Sequence, residues 1–221
     1  QQPLALDRGS LDIPGMEGAK YICSPPLRDA EARQALWHHV QTGTFDCVSS
    51  DHAPARFDET GKFVNGRDVP FSRIAGGLSG IAFRLPHLFS EGVLAGRITP
   101  QQFVAMSATN AARIFGLKAK GSIAPGMDAD IAIWNPEGRR TVTLADQHDN
   151  MDYTPYEGFE LSGRLEMVMT RGQVVVEGER LVATSGQGRP IGRHPIDLTG
   201  RPGHIAREFD PERNFGARIA P

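Results

Sequence analysis

The order of predicted elements between residues 20 and 54 constrains the fold more than any other feature of this sequence. Residues 20–24 form a short apolar stretch that ends at two prolines, and their composition predicts a β-strand. Asp29 then begins a predicted helix with apolar residues at helical spacing, and Gly43 ends it. Residues 45–50 predict a second strand, buried on both faces, with Asp51 directly after it. A strand, a helix and a strand in this order indicate a parallel α/β architecture, in which functional residues follow the carboxyl ends of the strands.

The rest of the chain predicts helices and then a region of short strands. Residues 56–71 are polar and interrupted by glycine, which predicts a long loop that covers or walls a site. Helices are predicted over residues 81–91 and 100–115, the second with Thr99 as its N-cap and Gly116 as its stop. Beyond Gly121, four short apolar stretches separated by Gly, Asn and Asp predict an antiparallel β unit: residues 131–134, 141–144, 165–169 and 173–176.

These patterns predict an α/β chain in three parts. We expect residues 1–118 to be the C-terminal segment of an α/β barrel, holding its last strands. Residues 119–185 are expected to form part of a small β-sandwich domain. Residues 186–221 are rich in Gly, Pro and Arg and predict an extended C-terminal arm with little core of its own.

Charge and cysteine content exclude several functional classes. A formal net charge of -2 on 221 residues gives no field that would gather nucleic acid or an anionic membrane. Cys23 and Cys47 are too few for a disulfide framework, so free thiols in a reducing cytoplasm are expected. No apolar stretch approaches the roughly 20 residues needed to cross a bilayer. The first residues show neither an initiator Met nor a signal peptide, which predicts that the chain starts within a longer protein.

Asp51 is the strongest candidate for a catalytic residue in this sequence. A carboxylate that directly follows a buried barrel strand lies in the mouth where active sites form. One carboxylate oxygen can ligate a divalent cation while the other accepts a proton from the metal-bound water. Taken alone, the Ser-Asp-His sequence of residues 50–52 also fits a helix cap or a turn, so these three residues leave both interpretations open.

Several longer stretches resemble the amidohydrolase superfamily, and within it the dihydropyrimidinases and D-hydantoinases. The superfamily resemblance rests on residues 50–54 (SDHAP), 108–116 (ATNAARIFG) and 120–130 (KGSIAPGMDAD). The narrower one rests on residues 17–28 (EGAKYICSPPLR) and 150–158 (NMDYTPYEG), and the whole covers residues 1–193. The resemblance implies the C-terminal portion of a TIM-like (β/α)8 barrel enzyme that opens the cyclic amide of hydantoins or dihydropyrimidines.

The resemblance also implies roles for individual residues. Asp51 matches the aspartate that ligates the more buried of two divalent metals, usually zinc, and transfers a proton to the leaving nitrogen. Ser24 matches a serine whose backbone groups hydrogen-bond the imide of the substrate. Gly76 stands where the family has an asparagine and could make the same backbone contact. Because residues 73–80 (RIAGGLSG) also look like an allantoinase, an allantoin-type ureide is the alternative substrate. His52, Lys120 and Asp130 are expected to be structural.

The family's remaining metal ligands, a His-x-His pair, a carboxylated lysine and two further histidines, precede the region that matches residue 1. A catalytic zinc needs about three protein ligands, so the chain alone is expected to be inactive and to lack full metal binding. The expected partners are the missing N-terminal half of the barrel and further copies, as a dimer or tetramer of the complete enzyme. A non-catalytic assembly scaffold is the alternative function, and retention of Asp51 favours the enzyme.

Overall fold

The computed structural model describes residues 1–194, which form a helical region followed by one antiparallel sheet. The α-helices are Gln2–Ala5 (α1), Ala30–Gln41 (α2), Ile81–His87 (α3), Pro100–Val104 (α4) and Asn110–Ile114 (α5). Turns of π-helix extend α3 and connect α4 to α5, over Leu88–Leu94 and Ala105–Thr109. Short 3-10 helices span Arg8–Leu11, Glu17–Tyr21, Phe71–Arg73 and Leu144–Asp146. Across this part of the chain, no helix has the length and apolar character needed to cross a membrane.

The predicted helices are confirmed, and their ends show the chemistry that the sequence indicates. An Asp29 carboxylate oxygen accepts a hydrogen bond from the backbone N–H of Ala32 at 2.9 Å and caps α2. Thr99 and Gln102 form a capping box at the start of α4. Gly116 has a φ of 67°, a left-handed conformation that suits glycine after a helix end.

The two strands predicted over residues 20–24 and 45–50 are wrong for the described part of the chain. The first stretch begins in the Glu17–Tyr21 helix and continues to a cis Ser24–Pro25 bond, and the second is extended but belongs to no sheet. A single parallel bridge joins His52 to Leu78, and within residues 1–194 no barrel sheet forms around it. A β-strand needs a neighbouring strand to hydrogen-bond its backbone N–H and C=O groups, and no such strand lies beside these segments within residues 1–194.

The antiparallel β region is confirmed. Its strands run in the order Ile131–Thr141 (β1), Glu160–Thr170 (β2), Gln173–Glu177 (β3) and Arg180–Leu181 (β4). The strand predicted over residues 141–144 is wrong beyond Thr141, because the backbone N–H of Thr143 donates to the Asp146 carboxylate at 2.8 Å and starts a short helix. Residues 1–194 contain one sheet, without the second layer of a sandwich. Most of the predicted arm, residues 195–221, lies outside the described residues.

The predicted structural role of Lys120 and Asp130 is confirmed at the entry to the sheet. The Lys120 ammonium forms ion pairs with the carboxylates of Asp128, at 2.8 Å, and of Asp130. Asp130 also accepts a hydrogen bond from the backbone N–H of Arg171 at 2.8 Å. These contacts tie the start of β1 to the turn between β2 and β3.

His87 makes the helical core sensitive to acid. Its ring stacks on Phe83 with 4.8 Å between centroids, lies 6.0 Å from the Trp37 ring and is 3% exposed. Neither ring nitrogen makes a hydrogen bond of good geometry within residues 1–194. Burial lowers the pKa of His87 to about 4, so protonation favours the unfolded chain, in which histidine keeps an ordinary pKa.

We therefore expect stability to be intact above about pH 6.5 and to fall by up to about 3 kcal/mol as the pH drops towards 4. A His87→Phe variant should lose this part of the acid sensitivity, because phenylalanine fills the site without a titratable group. Urea unfolding at pH 7.0 and 4.5 measures the effect, with exposed His38→Phe as the matched control. Equal acid sensitivity in the wild type and His87→Phe would contradict the assignment.

Candidate active site

The segment that leads to Asp51 is held by side chains from the surrounding helices. The guanidinium of Arg84, on α3, donates to the carbonyl of Val48 at 2.8 Å. The side-chain amide of Gln2, on α1, donates to the carbonyls of Ser50 and Asp51 at 3.1 and 3.0 Å. These bonds satisfy backbone acceptors that a sheet would otherwise satisfy, and they place the turn at Asp51 relative to the helices.

Asp51 itself adopts a backbone conformation that is unusual for a residue with a side chain. Its φ is 46°, in the left-handed region that aspartate and asparagine tolerate better than most residues. The residue is exposed, and its carboxylate makes no hydrogen bond or ion pair with other groups of residues 1–194. The carboxylate is therefore accessible to a ligand, a water or a substrate.

Residues 74–80 form a central loop between two other loops. The backbone N–H of Gly77 donates to the carbonyl of Ile22 at 3.0 Å, which joins the central loop to the segment before Ser24. On the other side, the backbone N–H of Ala53 donates to the carbonyl of Leu78 at 3.0 Å. Three chain segments that are distant in sequence thus lie side by side.

The three predicted site residues lie on these three segments. Ser24 and Gly76 are exposed, as Asp51 is, so each is open to a bound molecule. A Cβ atom at Gly76 would lie 3.9 Å from the Cα of Cys23, which places Gly76 against the segment that carries Ser24. Burial, and to a lesser extent the Asp51 carboxylate, raises the pKa of the Cys23 thiol. The Asp51 carboxylate therefore interacts electrostatically with the segment that carries Ser24.

His52 connects the Asp51 turn to the start of α3. Its Nδ1 accepts hydrogen bonds from the backbone N–H groups of Gly80 and Ile81, at 3.1 and 3.3 Å, where α3 begins. An Nδ1 that accepts must be unprotonated, so a neutral His52 carries its hydrogen on Nε2. The contacts fit the structural role predicted for His52, since they connect the Asp51 turn to the first turn of α3.

Lys62 is a residue of the site that sequence reasoning missed. It has no exposed surface, and its ammonium donates to the carbonyls of Ile22 and Gly77 at 3.0 and 2.9 Å. A lysine within a polar, glycine-rich loop resembles any solvated lysine, so no pattern in the sequence marks it as buried.

The Asp-Tyr stretch of residues 150–158 also contributes to the site, as a support. The Asp152 carboxylate accepts hydrogen bonds from the backbone N–H of Phe57, at 3.0 and 3.2 Å to its two oxygens. The hydroxyl of Tyr153 donates to the carbonyl of Lys20 at 3.3 Å. This stretch therefore braces both the loop after Asp51 and the segment before Ser24, contacts that its sequence does not predict.

Residues 1–194 do not by themselves form a complete metal site. No group of three or more His, Cys, Asp or Glu side chains in this range is arranged to hold a metal ion. Asp51 offers one carboxylate, whereas a catalytic zinc requires about three protein ligands.

Comparison with known proteins identifies the family. The sequence profile of the amidohydrolase family matches residues 17–175, which include all three site loops and most of the sheet. The chain belongs to the amidohydrolase family. The chain is 37% identical over 196 residues to D-phenylhydantoinase of Escherichia coli, covering 88% of this chain and 41% of that protein.

Solved structures give the same relationship in three dimensions. D-hydantoinase from Bacillus sp. AR9 superposes with a TM-score of 0.82 at 43% identity, covering 89% of this chain and 42% of the other. Dihydropyrimidinase from Brevibacillus agri superposes with a TM-score of 0.77 at 41% identity, covering 82% of this chain and 39% of the other. The chain therefore spans about two fifths of the length of the relatives that it matches.

Proposed function

We propose that this chain contributes Asp51, Ser24 and Gly76 to the active site of a cyclic amidohydrolase that opens hydantoins and dihydropyrimidines. The observation that carries the proposal is the joining of the three loops by the backbone bonds at Gly77 and Ala53. The names of the relatives, D-phenylhydantoinase, D-hydantoinase and dihydropyrimidinase, support this substrate class. In the complete enzyme, residues 1–118 belong to the barrel, 119–185 to a β-sandwich and 186–221 to an arm.

The three residues divide the work between proton transfer and substrate binding. The exposed Asp51 carboxylate accepts the proton of the attacking water and then donates it to the ring nitrogen as the amide bond breaks. Backbone N–H and C=O groups at Ser24 and Gly76 hold the flat imide, and because they are part of the main chain, no side chain must be ordered on binding.

Metal binding, assembly and location are further parts of the proposal. Two divalent metal ions, with zinc as the proposed identity, would be held by Asp51 together with ligands that lie outside this chain. Such ions supply a more acidic bound water and polarise the amide carbonyl. The complete enzyme would be a homo-oligomer in the cytoplasm, and two free cysteines whose thiol pKa values are raised by burial suit a reducing compartment.

The test is hydrolysis of hydantoin, dihydrouracil and allantoin by the complete enzyme, meaning this chain with the polypeptide that supplies the remainder of the barrel. We expect hydantoin and dihydrouracil to be opened to N-carbamoyl amino acids, detected by chromatography. A chelator should abolish the reaction and added zinc should restore it. No turnover of any of the three by a folded, metal-loaded sample would contradict the hydrolase and favour the assembly scaffold.

An allantoin-type substrate is the second candidate, and the loop at Gly76 is the observation that favours it. A Gly76→Asn variant should shift the ratio of kcat/KM for hydantoin and allantoin by about tenfold, because the side chain adds contacts beside the imide. The space exists, since a Cβ at Gly76 makes only ordinary contact with Cys23 at 3.9 Å.

The unfolding midpoint should therefore change little in Gly76→Asn. Gly188→Asn is the matched control, because nothing lies within 4 Å of a Cβ there. A hydantoin-to-allantoin ratio that stays at the wild-type value would count against the contact at Gly76.

A further inference from the structure

Lys62 is a charged residue in a place where charge is costly. It has no exposed surface, and no carboxylate within residues 1–194 forms an ion pair with it. An ammonium that leaves water loses a large solvation energy unless hydrogen bonds replace its water contacts. The two carbonyls that replace them belong to Ile22 and Gly77, in the loops that precede Ser24 and follow Gly76.

Four hydrogen bonds connect Lys62, the loop before Ser24 and the loop of residues 74–80, and we call this meeting point the loop junction. Two come from the Lys62 ammonium, at 3.0 Å to the Ile22 carbonyl and 2.9 Å to the Gly77 carbonyl. The Ile22 carbonyl also accepts the backbone N–H of Gly77 at 3.0 Å, so both of its lone pairs are used. The carbonyl of Lys62 accepts the backbone N–H of Ala75 at 3.1 Å, so main chain and side chain of one residue hold the same loop.

We propose that Lys62 is a positioning residue, whose buried ammonium bridges the carbonyls of Ile22 and Gly77 and so sets the spacing between the two loops that present Ser24 and Gly76 to the cyclic substrate. The inference rests on the proposed function, because it assigns Lys62 to the binding of the same imide. Lys62 does not touch the reacting atoms, and it acts through the loops that it joins.

The chemistry of the side chain distinguishes positioning from simple packing. A methionine of similar volume would fill the space without the cost of desolvating a charge, but it would leave the Gly77 carbonyl without its donor. A charged donor between two carbonyls instead fixes the distance between those oxygens, which an apolar contact cannot do. Burial lowers the pKa of Lys62 to about 8, so the ammonium remains the major form at neutral pH.

The decisive variant is Lys62→Met in the complete enzyme. We expect KM for hydantoin to rise about tenfold while kcat stays within about threefold, because imide binding depends on loop spacing and proton transfer depends on Asp51. Lys62→Arg keeps the charge and the hydrogen-bond donors but replaces the compact ammonium by a planar guanidinium, so it should lower KM part of the way from the Lys62→Met value towards the wild type. Lys118→Met is the matched control, since Lys118 is exposed.

Hydrogen exchange on the same samples separates this inference from the proposed function. Lys62→Met should speed exchange of the Gly77 and Ala75 amides by about tenfold or more while α2 stays protected. Unchanged exchange at these amides, unchanged KM, or loss of protection throughout the protein would each overturn the positioning role. If the wild-type complete enzyme opens no cyclic amide, the proposed function fails, and the positioning role falls with it even where exchange shows the bridge.

Discussion

Replacing Asp51 with asparagine in the complete enzyme should lower kcat for ring opening by about a thousandfold or more, because positioned acid–base groups contribute about 10²- to 10⁴-fold. Asparagine can neither accept the water proton nor return it to the leaving nitrogen. The fold should survive, since the Asp51 turn is held by the Gln2 amide through backbone carbonyls and the carboxylate takes no part.

Asparagine is a better test than alanine for a structural reason. The φ of 46° at Asp51 is tolerated by asparagine but strained for alanine, so Asp51→Ala would mix a chemical loss with a backbone cost. Turnover is compared with Asp68→Asn, an exposed carboxylate in the loop that follows Asp51. Circular dichroism melts establish that both variants fold, and activity of Asp51→Asn within about tenfold of the parent would remove Asp51 from the mechanism.

The second large effect is expected at Gly77, where the three loops meet. Its φ is 124°, and an added Cβ would lie 2.3 Å from the carbonyl oxygen of Ala53, a distance that requires the backbone to move. Gly77→Ala should therefore destabilise the protein by about 3 kcal/mol or more, combining backbone strain with a steric clash. Separation of these loops should also weaken substrate binding in the complete enzyme.

The adjacent glycine provides the control. At Gly76 a Cβ would meet only the Cα of Cys23, at 3.9 Å, which is ordinary van der Waals contact. Gly76→Ala should therefore change stability by no more than about 0.5 kcal/mol. Urea unfolding of both variants gives the comparison. Similar losses of unfolding free energy in Gly77→Ala and Gly76→Ala would show that the loop junction does not depend on the close approach at Gly77.

Local chemistry is the part of this protein that its sequence determines. Asp29 before α2 and the Thr99–Gln102 capping box act over three residues, so their hydrogen bonds form wherever those residues occur together. The helix over residues 100–115 and the antiparallel strands follow from apolar spacing in the same way. Short stretches that resemble a known family identify Asp51, Ser24 and Gly76 as candidates, and the roles of these three residues remain predictions.

Only the tertiary structure determines the long-range contacts of this protein. Residues 20–24 and 45–50 have the composition of strands, but a strand exists only beside a partner, and within residues 1–194 side chains such as Arg84 and Gln2 satisfy part of the backbone instead. Lysine is usually a surface residue, yet Lys62 is buried because two carbonyls from other loops replace the water that would hydrate its ammonium. The hydrogen bonds that assemble the site loops join residues far apart in sequence, up to 133 positions for Tyr153 and Lys20, and neither segment alone identifies its partner.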